Sequence, residues 1–248
     1  MGGITFFPRK PTLENFQYIL RQSYIKTAFA VTVGRVLIVT ALSLLVLFAA
    51  AYALSKKDLP GRSWIITVFM LSMFITPGLI PTYILYGQFR LLESFWVYIL
   101  PCLFSFYNII VIKSNINSIP SSIFESAHID GAGEMRILLR IVIPLSMPVL
   151  ATIALWTAVG IWGDWTTTLY FASMNQDLFT LQYYIRLFTE RARLIEELVR
   201  KGEVQGVAVN AASLQAAQIM ITTLPIICVY PFLQKYFVKG VITGSVKE

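Results

Sequence analysis

VLIVTALSLLVLFAAAYAL, residues 36–54, runs for nineteen positions without an aspartate, glutamate, lysine, arginine or histidine. A helix of that length rises about 28 Å, close to the ~30 Å thickness of bilayer hydrocarbon. Hydrocarbon offers no water to the peptide groups, so a stretch of this kind crosses it as a helix. The apolar run extends back to residue 27, and four others of similar character follow at 64–89, 95–112, 141–162 and 214–238. These five predict an all-α membrane protein, a polytopic helical bundle. Arg35, just before the cleanest stretch, reads as an interfacial residue snorkelling to headgroups, with an intramembrane charge as the alternative.

Composition agrees with this reading. The 248 residues are 56% hydrophobic and only 13% charged, with a mean hydropathy of +0.69. A soluble domain carries about 25% charged residues. The net charge of +7 is scattered in short clusters at the ends of apolar runs, which suits membrane-flanking cations and argues against nucleic acid. Cys102 and Cys228 lie within apolar runs and read as buried free thiols. A lone histidine, His128, excludes a multi-histidine metal site.

The spans differ in regularity. Pro77, Gly78 and Pro81 fall inside 64–89 and predict a kinked or broken helix. Pro101, Tyr107 and Asn108 fall inside 95–112, where the amide needs a partner or a wet cavity. Short loops carrying Lys56, Lys57 and Arg62, then Lys113, Arg136 and Arg140, then Lys235, Lys239 and Lys247, oppose one carrying only Arg90. The positive-inside rule therefore places the first set and the C-terminus in the cytoplasm. The N-terminus and a polar excursion at 163–213 are then outside. Within that excursion, residues 190–203 (ERARLIEELVRKGE) predict an amphipathic helix with Leu194, Ile195 and Leu198 on its apolar side. An outside N-terminus without a signal peptide implies a further upstream helix, giving six spans in the intact protein.

The polar connector at 114–140 continues into SIPSSIFESAHIDGAGEMRILLRIVIPLSMP, residues 118–148. Ser122 and Glu125 have capping-box spacing, predicting a short helix from near Ser121. Asp130-Gly131 signals the turn that ends it, and Pro144 the point where the chain turns into the next span. The outcome is a cytoplasmic helix–turn–helix knob able to enter a groove on another protein.

This segment resembles the EAA loop of binding-protein-dependent ABC importers: Glu-Ala-Ala, three residues, Gly, nine residues, Ile-x-Leu-Pro. Glu125, Ser126 and Ala127, then Gly131, then Ile141, Ile143 and Pro144 match at that spacing, with Ser126 and Ile143 as the departures. Asp130 and Ala132 fit the DGA form of sugar permeases. The opening residues 4–20, the stretch WGDWTTTLYFASMNQDLFTLQYYI at 162–185 and the tail at 230–248 resemble maltose-type carbohydrate-uptake permeases, in the branch that imports complex oligosaccharides.

The resemblance implies a multi-pass permease of the bacterial cytoplasmic membrane, contacting lipid and carrying an oligosaccharide. Its implied partners are a second permease subunit, two ATP-binding subunits and an extracytoplasmic solute-binding protein. No G-x-x-x-x-G-K-[ST] occurs, so no cofactor is expected on this chain, and ATP and Mg belong to the partner ATPase. The ATPase-coupling residues implied are Glu125, Ser126, Ala127, His128, Asp130, Gly131, Ala132 and Pro144. Aromatic faces stack on sugars and carboxylates or amides bond hydroxyls, which makes Tyr107, Asn108, Trp162, Asp164 and Trp165 candidates for the substrate path. Aromatics at span ends also serve as interfacial anchors. The span cores hold almost no ionisable residues, which argues against a secondary transporter. No nucleophile or acid–base constellation suggests an enzyme. An ABC importer for amino acids or phosphate is the nearest alternative.

Overall fold

The computed structural model describes residues 16–17, 24–201, 216–217 and 219–228. Among these the chain is helical, without a strand. Helix α1 is Ile25–Ser55, α2 Arg62–Ser72, α3 Leu79–Gln88, α4 Phe106–Asn117 and α5 Ser121–Ile129. A continuous helix, α6, covers Glu134–Gly163. It is followed by α7 Thr166–Phe171, α8 Leu181–Arg200 and α9 Ile219–Cys228. Short 3₁₀ turns occupy Phe95–Tyr98, Leu100–Cys102 and Gln176–Leu178.

Two of these helices, α1 and α6, are each long and apolar enough to cross a membrane. The 31 residues of α1 amount to about 46 Å of helix. The span expected at 95–112 is two 3₁₀ turns and α4, meeting at a bend of 43°. Pro101 sits in the second turn, where a proline cannot extend an α-helical ladder. The span expected at 64–89 is broken, as its prolines predict. Pro77 disfavours helix at the residue before it, and α3 restarts at Leu79 with Pro81 in its first turn, where no N–H is required. The part of the 214–238 run within the described residues includes the short apolar helix α9, and Cys228 at its end is exposed rather than buried.

Helix α1 is apolar nearly all round, and its buried stripe is the one that holds Thr32, Arg35 and Ser43. Ala28, Thr32, Arg35, Val39, Ser43, Leu47, Ala51 and Leu54 recur every three or four residues on the buried stripe, while Leu37, Leu42 and Leu45 point outward. That inversion is what a lipid solvent favours, since small and polar side chains then meet other helices. Near the Ser55 end, Leu47, Phe48, Ala51 and Leu54 pack on Phe106, Ile109, Ile112 and Ile116 of α4 and on Ile137, Val142 and Ile153 of α6.

Arg35 does not snorkel. It is 1% exposed, and its Nη2 donates to Asp164 Oδ2 at 2.6 Å, while its guanidinium lies 4.6 Å from the Tyr98 ring centroid. Both features sit inside the bundle, so snorkelling would forfeit them. Around this pair the loops interlock. Thr32 accepts from the first N–H of α8, at Leu181 (2.8 Å), and Tyr98 donates to the Leu178 carbonyl (2.8 Å) while lying 2.9 Å from the Thr168 hydroxyl. Tyr98→Phe is expected to cost about 1–2 kcal/mol, because a buried carbonyl loses its donor. Guanidinium denaturation in mixed micelles measures it.

Helix α6 differs from expectation at Pro144. The chain does not turn there: an α turn at Glu134–Ile137 passes through a π turn at Leu138–Val142 into Ile143–Gly163. The widened π turn lies just before the residue that has no N–H to donate, so the helix absorbs the proline without ending.

Candidate functional site

The knob is built by α5 and the turn after it. The helix starts at Ser121 as predicted, but Pro120 holds the N-cap position and no side chain caps it. Ser122 is already helical, so the capping box cannot form. Its carbonyl instead accepts from the Ser126 hydroxyl at 2.8 Å. Glu125 is exposed. At the other end, Gly131 N–H donates to the His128 carbonyl (3.0 Å) and Ala132 N–H to the Ala127 carbonyl (2.9 Å). This pair of bonds is a Schellman motif, and it requires a left-handed residue at Gly131, whose φ is +71°. Ala127 is buried, with Phe124 and Ala132 packed on the same core cluster as Leu54 and Ile116. Ile123 and Ile129 face outward, Ile129 with 86% exposure. The knob is thus anchored by one side and bare on the other.

The residue that ties it down polarly is Glu134. Tyr52 Oη donates to its Oε2, Lys56 Nζ stands 2.7 Å from the same oxygen, and His128 Nε2 stands 3.6 Å from Oε1. His128 Nδ1 is 2.6 Å from the Phe124 carbonyl, to which it donates. Asp130 closes α5 as its C-cap and is exposed.

A protein-family model described as binding-protein-dependent transport system inner membrane component matches residues 44–243. The chain belongs to this family. The permease is 35% identical to protein LplC of Bacillus subtilis over 243 residues, covering 97% of this chain and 81% of that one. It is 33% identical to the polygalacturonan/rhamnogalacturonan transport system permease protein YtcP of the same organism, covering 97% and 83%. Among solved structures, a bacterial ABC transporter involved in the import of the acidic polysaccharide alginate aligns with a TM-score of 0.82 at 25% identity. That alignment covers 96% of this chain and 84% of that chain. Members of the family are transport subunits rather than enzymes, and inner-membrane components.

The five residues proposed for a substrate path separate in the structure. Trp162 is 8% exposed and donates from Nε1 to the Thr222 carbonyl, so it is a packing residue. The Asp164 carboxylate is committed to Arg35, Thr166 and Thr167. Trp165 is half-buried with the Arg186 guanidinium 3.7 Å from its ring centroid. Tyr107 and Asn108 stand apart from these, at the start of α4. Tyr107 is 55% exposed and lies 6.5 Å, centroid to centroid, from Trp156 of α6, itself 49% exposed. Sequence reasoning passed over Trp156, Arg186 and Glu134. Trp156 sits mid-span in an apolar run, where a tryptophan gives no separate signal.

Proposed function

We propose that this chain is the membrane-spanning subunit of an ATP-driven importer for oligosaccharides. It forms half of a translocation path and couples to a separate ATPase. The observation that carries the reading is the anchored but bare knob Ser121–Ala132 within a chain of this transport family. Glu125, Ser126, His128, Asp130 and Gly131 form its exposed part, with Ala127 and Ala132 as its seat and Pro144 in the helix it leads into. A second permease and lipid would cover the outward apolar faces of α2 and α3, which bury no residue within the chain. An extracytoplasmic solute-binding protein would deliver the cargo to the side carrying α7 and α8. ATP and Mg would be held by the partner. Loop cations favour a cytoplasmic C-terminus. The spans at 64–89, 95–112 and 214–238 complete the bundle with α1 and α6.

The relatives named for polygalacturonan and alginate favour a polymeric, uronate-containing sugar as cargo. Tyr107, Asn108 and Trp156 are the side chains best suited to line the path. They offer two exposed aromatic faces for ring stacking and an amide for hydroxyls at membrane depth.

The test is ATP hydrolysis and uptake by the full complex in liposomes, with the receptor loaded in turn with oligogalacturonides, alginate oligosaccharides, maltodextrins, glutamine or phosphate. Oligosaccharides are expected to stimulate hydrolysis several-fold. Tyr107→Ala and Trp156→Ala should each cut uptake about tenfold, at roughly 1–1.5 kcal/mol per lost stacking contact. Stimulation by glutamine or phosphate alone would overturn the sugar assignment.

A further inference from the structure

Three helix ends meet at the Glu134 carboxylate. Glu134 is the first residue of α6, Lys56 is the C-cap of α1, and His128 lies in the last turn of α5. A helix N-terminus carries partial positive charge and a C-terminus partial negative charge. The acid therefore sits at the end that favours an anion, and the two basic groups at ends that favour cations. Tyr52, four residues before Lys56, adds its hydroxyl to the same oxygen, and the Lys56 ammonium lies 4.8 Å from the Tyr52 ring centroid. Tyr52 and Lys56 thereby join α1 to α6 at a single side chain, and the His128 ring at the end of the knob stands 3.6 Å from it.

The apolar seat of the knob is narrow: Ala127 is the one residue of α5 that is buried. Small contacts of this kind resist separation better than rotation. A polar strut from a different direction is what would fix the tilt of α5 against α1. The pairs are exposed, with Lys56 and Glu134 side chains 33% and 58% accessible, so they add little to stability. Their value is directional.

Resting on the proposed coupling role, we infer that Glu134 is a positioning residue, which makes α5 and the Ser55 end of α1 move as one body when the ATPase closes. The alternative geometry, a knob that swings on its apolar seat, would dissipate the ATPase stroke before it reached α1.

Paired spin labels decide between these geometries. Lys57→Cys and Ile129→Cys, with Cys102 and Cys228 replaced by serine, are placed in the full complex in nanodiscs. Interspin distances are read without nucleotide and with ATP, Mg and vanadate. One narrow distance, the same within about 2 Å in both states, is expected for the otherwise native chain. Glu134→Gln should broaden it at least twofold, and Glu134→Asp, which keeps an acid at the same helix end, should broaden it less. A distance that shifts with nucleotide in the native chain, or one unmoved by Glu134→Gln, overturns the inference. Co-purification of the ATPase with each variant tests the docking role separately: a complex that assembles while the distance test fails refutes only the strut, whereas a chain that never retains the ATPase refutes the docking role itself.

Discussion

Asp164→Ala is expected to lower the unfolding free energy by about 3–5 kcal/mol, the cost of leaving a buried charge without its partner. Arg35 is 1% exposed, and Asp164 is its only carboxylate among the described residues, so removing the acid strands a guanidinium inside the bundle. The double variant Arg35→Met with Asp164→Leu is expected to recover most of that loss, because an apolar pair of similar volume carries no desolvation cost. The acid limb of the stability curve reports the same pair. Burial pushes the Asp164 carboxyl upward, but the Thr167 hydroxyl and the Arg35 guanidinium outweigh it and hold it down at about 2. A depressed carboxyl contributes stability that is fully present above its unfolded value near 3.8 and is lost as pH falls through about 2. Equilibrium denaturation in mixed micelles between pH 7 and pH 2 should show that decline in the native chain and not in the double variant. Equal stability of Asp164→Ala and the native chain would mean the pair contributes nothing.

This pair also marks how far the sequence could be read. The spans at 27–54 and 141–162 were legible because lipid demands long uncharged runs, and α1 and α6 occupy them. The end of the knob at Asp130-Gly131 was legible because turn chemistry is local, whereas its start at Ser121 agrees although the capping box that predicts it does not form. Arg35 was misread because its partner is 129 positions away, beyond any local pattern, and a lone arginine at a span edge fits snorkelling equally well. Trp162 and Asp164 carry sugar-binding chemistry by type, yet tertiary contacts to Thr222, Arg35 and the neighbouring threonines consume it. The capping box failed for a subtler reason. The Ser122–Glu125 spacing is right, but the helix begins two residues too early for Ser122 to be its cap. At Pro144 the sequence rule assumed α geometry, and the π turn at Leu138–Val142 evades it.

The larger functional effect is expected at Gly131, where backbone and side-chain requirements can be separated. Its φ of +71° is a conformation that β-branched residues essentially never adopt, whereas asparagine visits it readily. A Cβ built there meets nothing within 4 Å, so any damage must come from the backbone and not from crowding. Gly131→Val should force the Schellman bonds from Gly131 and Ala132 to open, turning Ile129 and Asp130 away from their positions on the knob. Gly131→Asn should keep the turn, and Gly131→Ala should fall between, at a strain of about 1 kcal/mol. Receptor-stimulated ATP hydrolysis by the reconstituted complex is therefore expected to fall more than tenfold in Gly131→Val, a few-fold in Gly131→Ala and less than twofold in Gly131→Asn. Micellar stability should change by no more than about 1–2 kcal/mol across the series, since Gly131 is exposed and a side chain there meets nothing of the packed bundle. That ordering tracks dihedral preference and not volume, because asparagine is larger than alanine yet is expected to be the milder replacement. A series ranked by side-chain volume instead would place Gly131 at a tight contact with the ATPase surface, and would show that close approach, not the left-handed turn, is what the glycine provides.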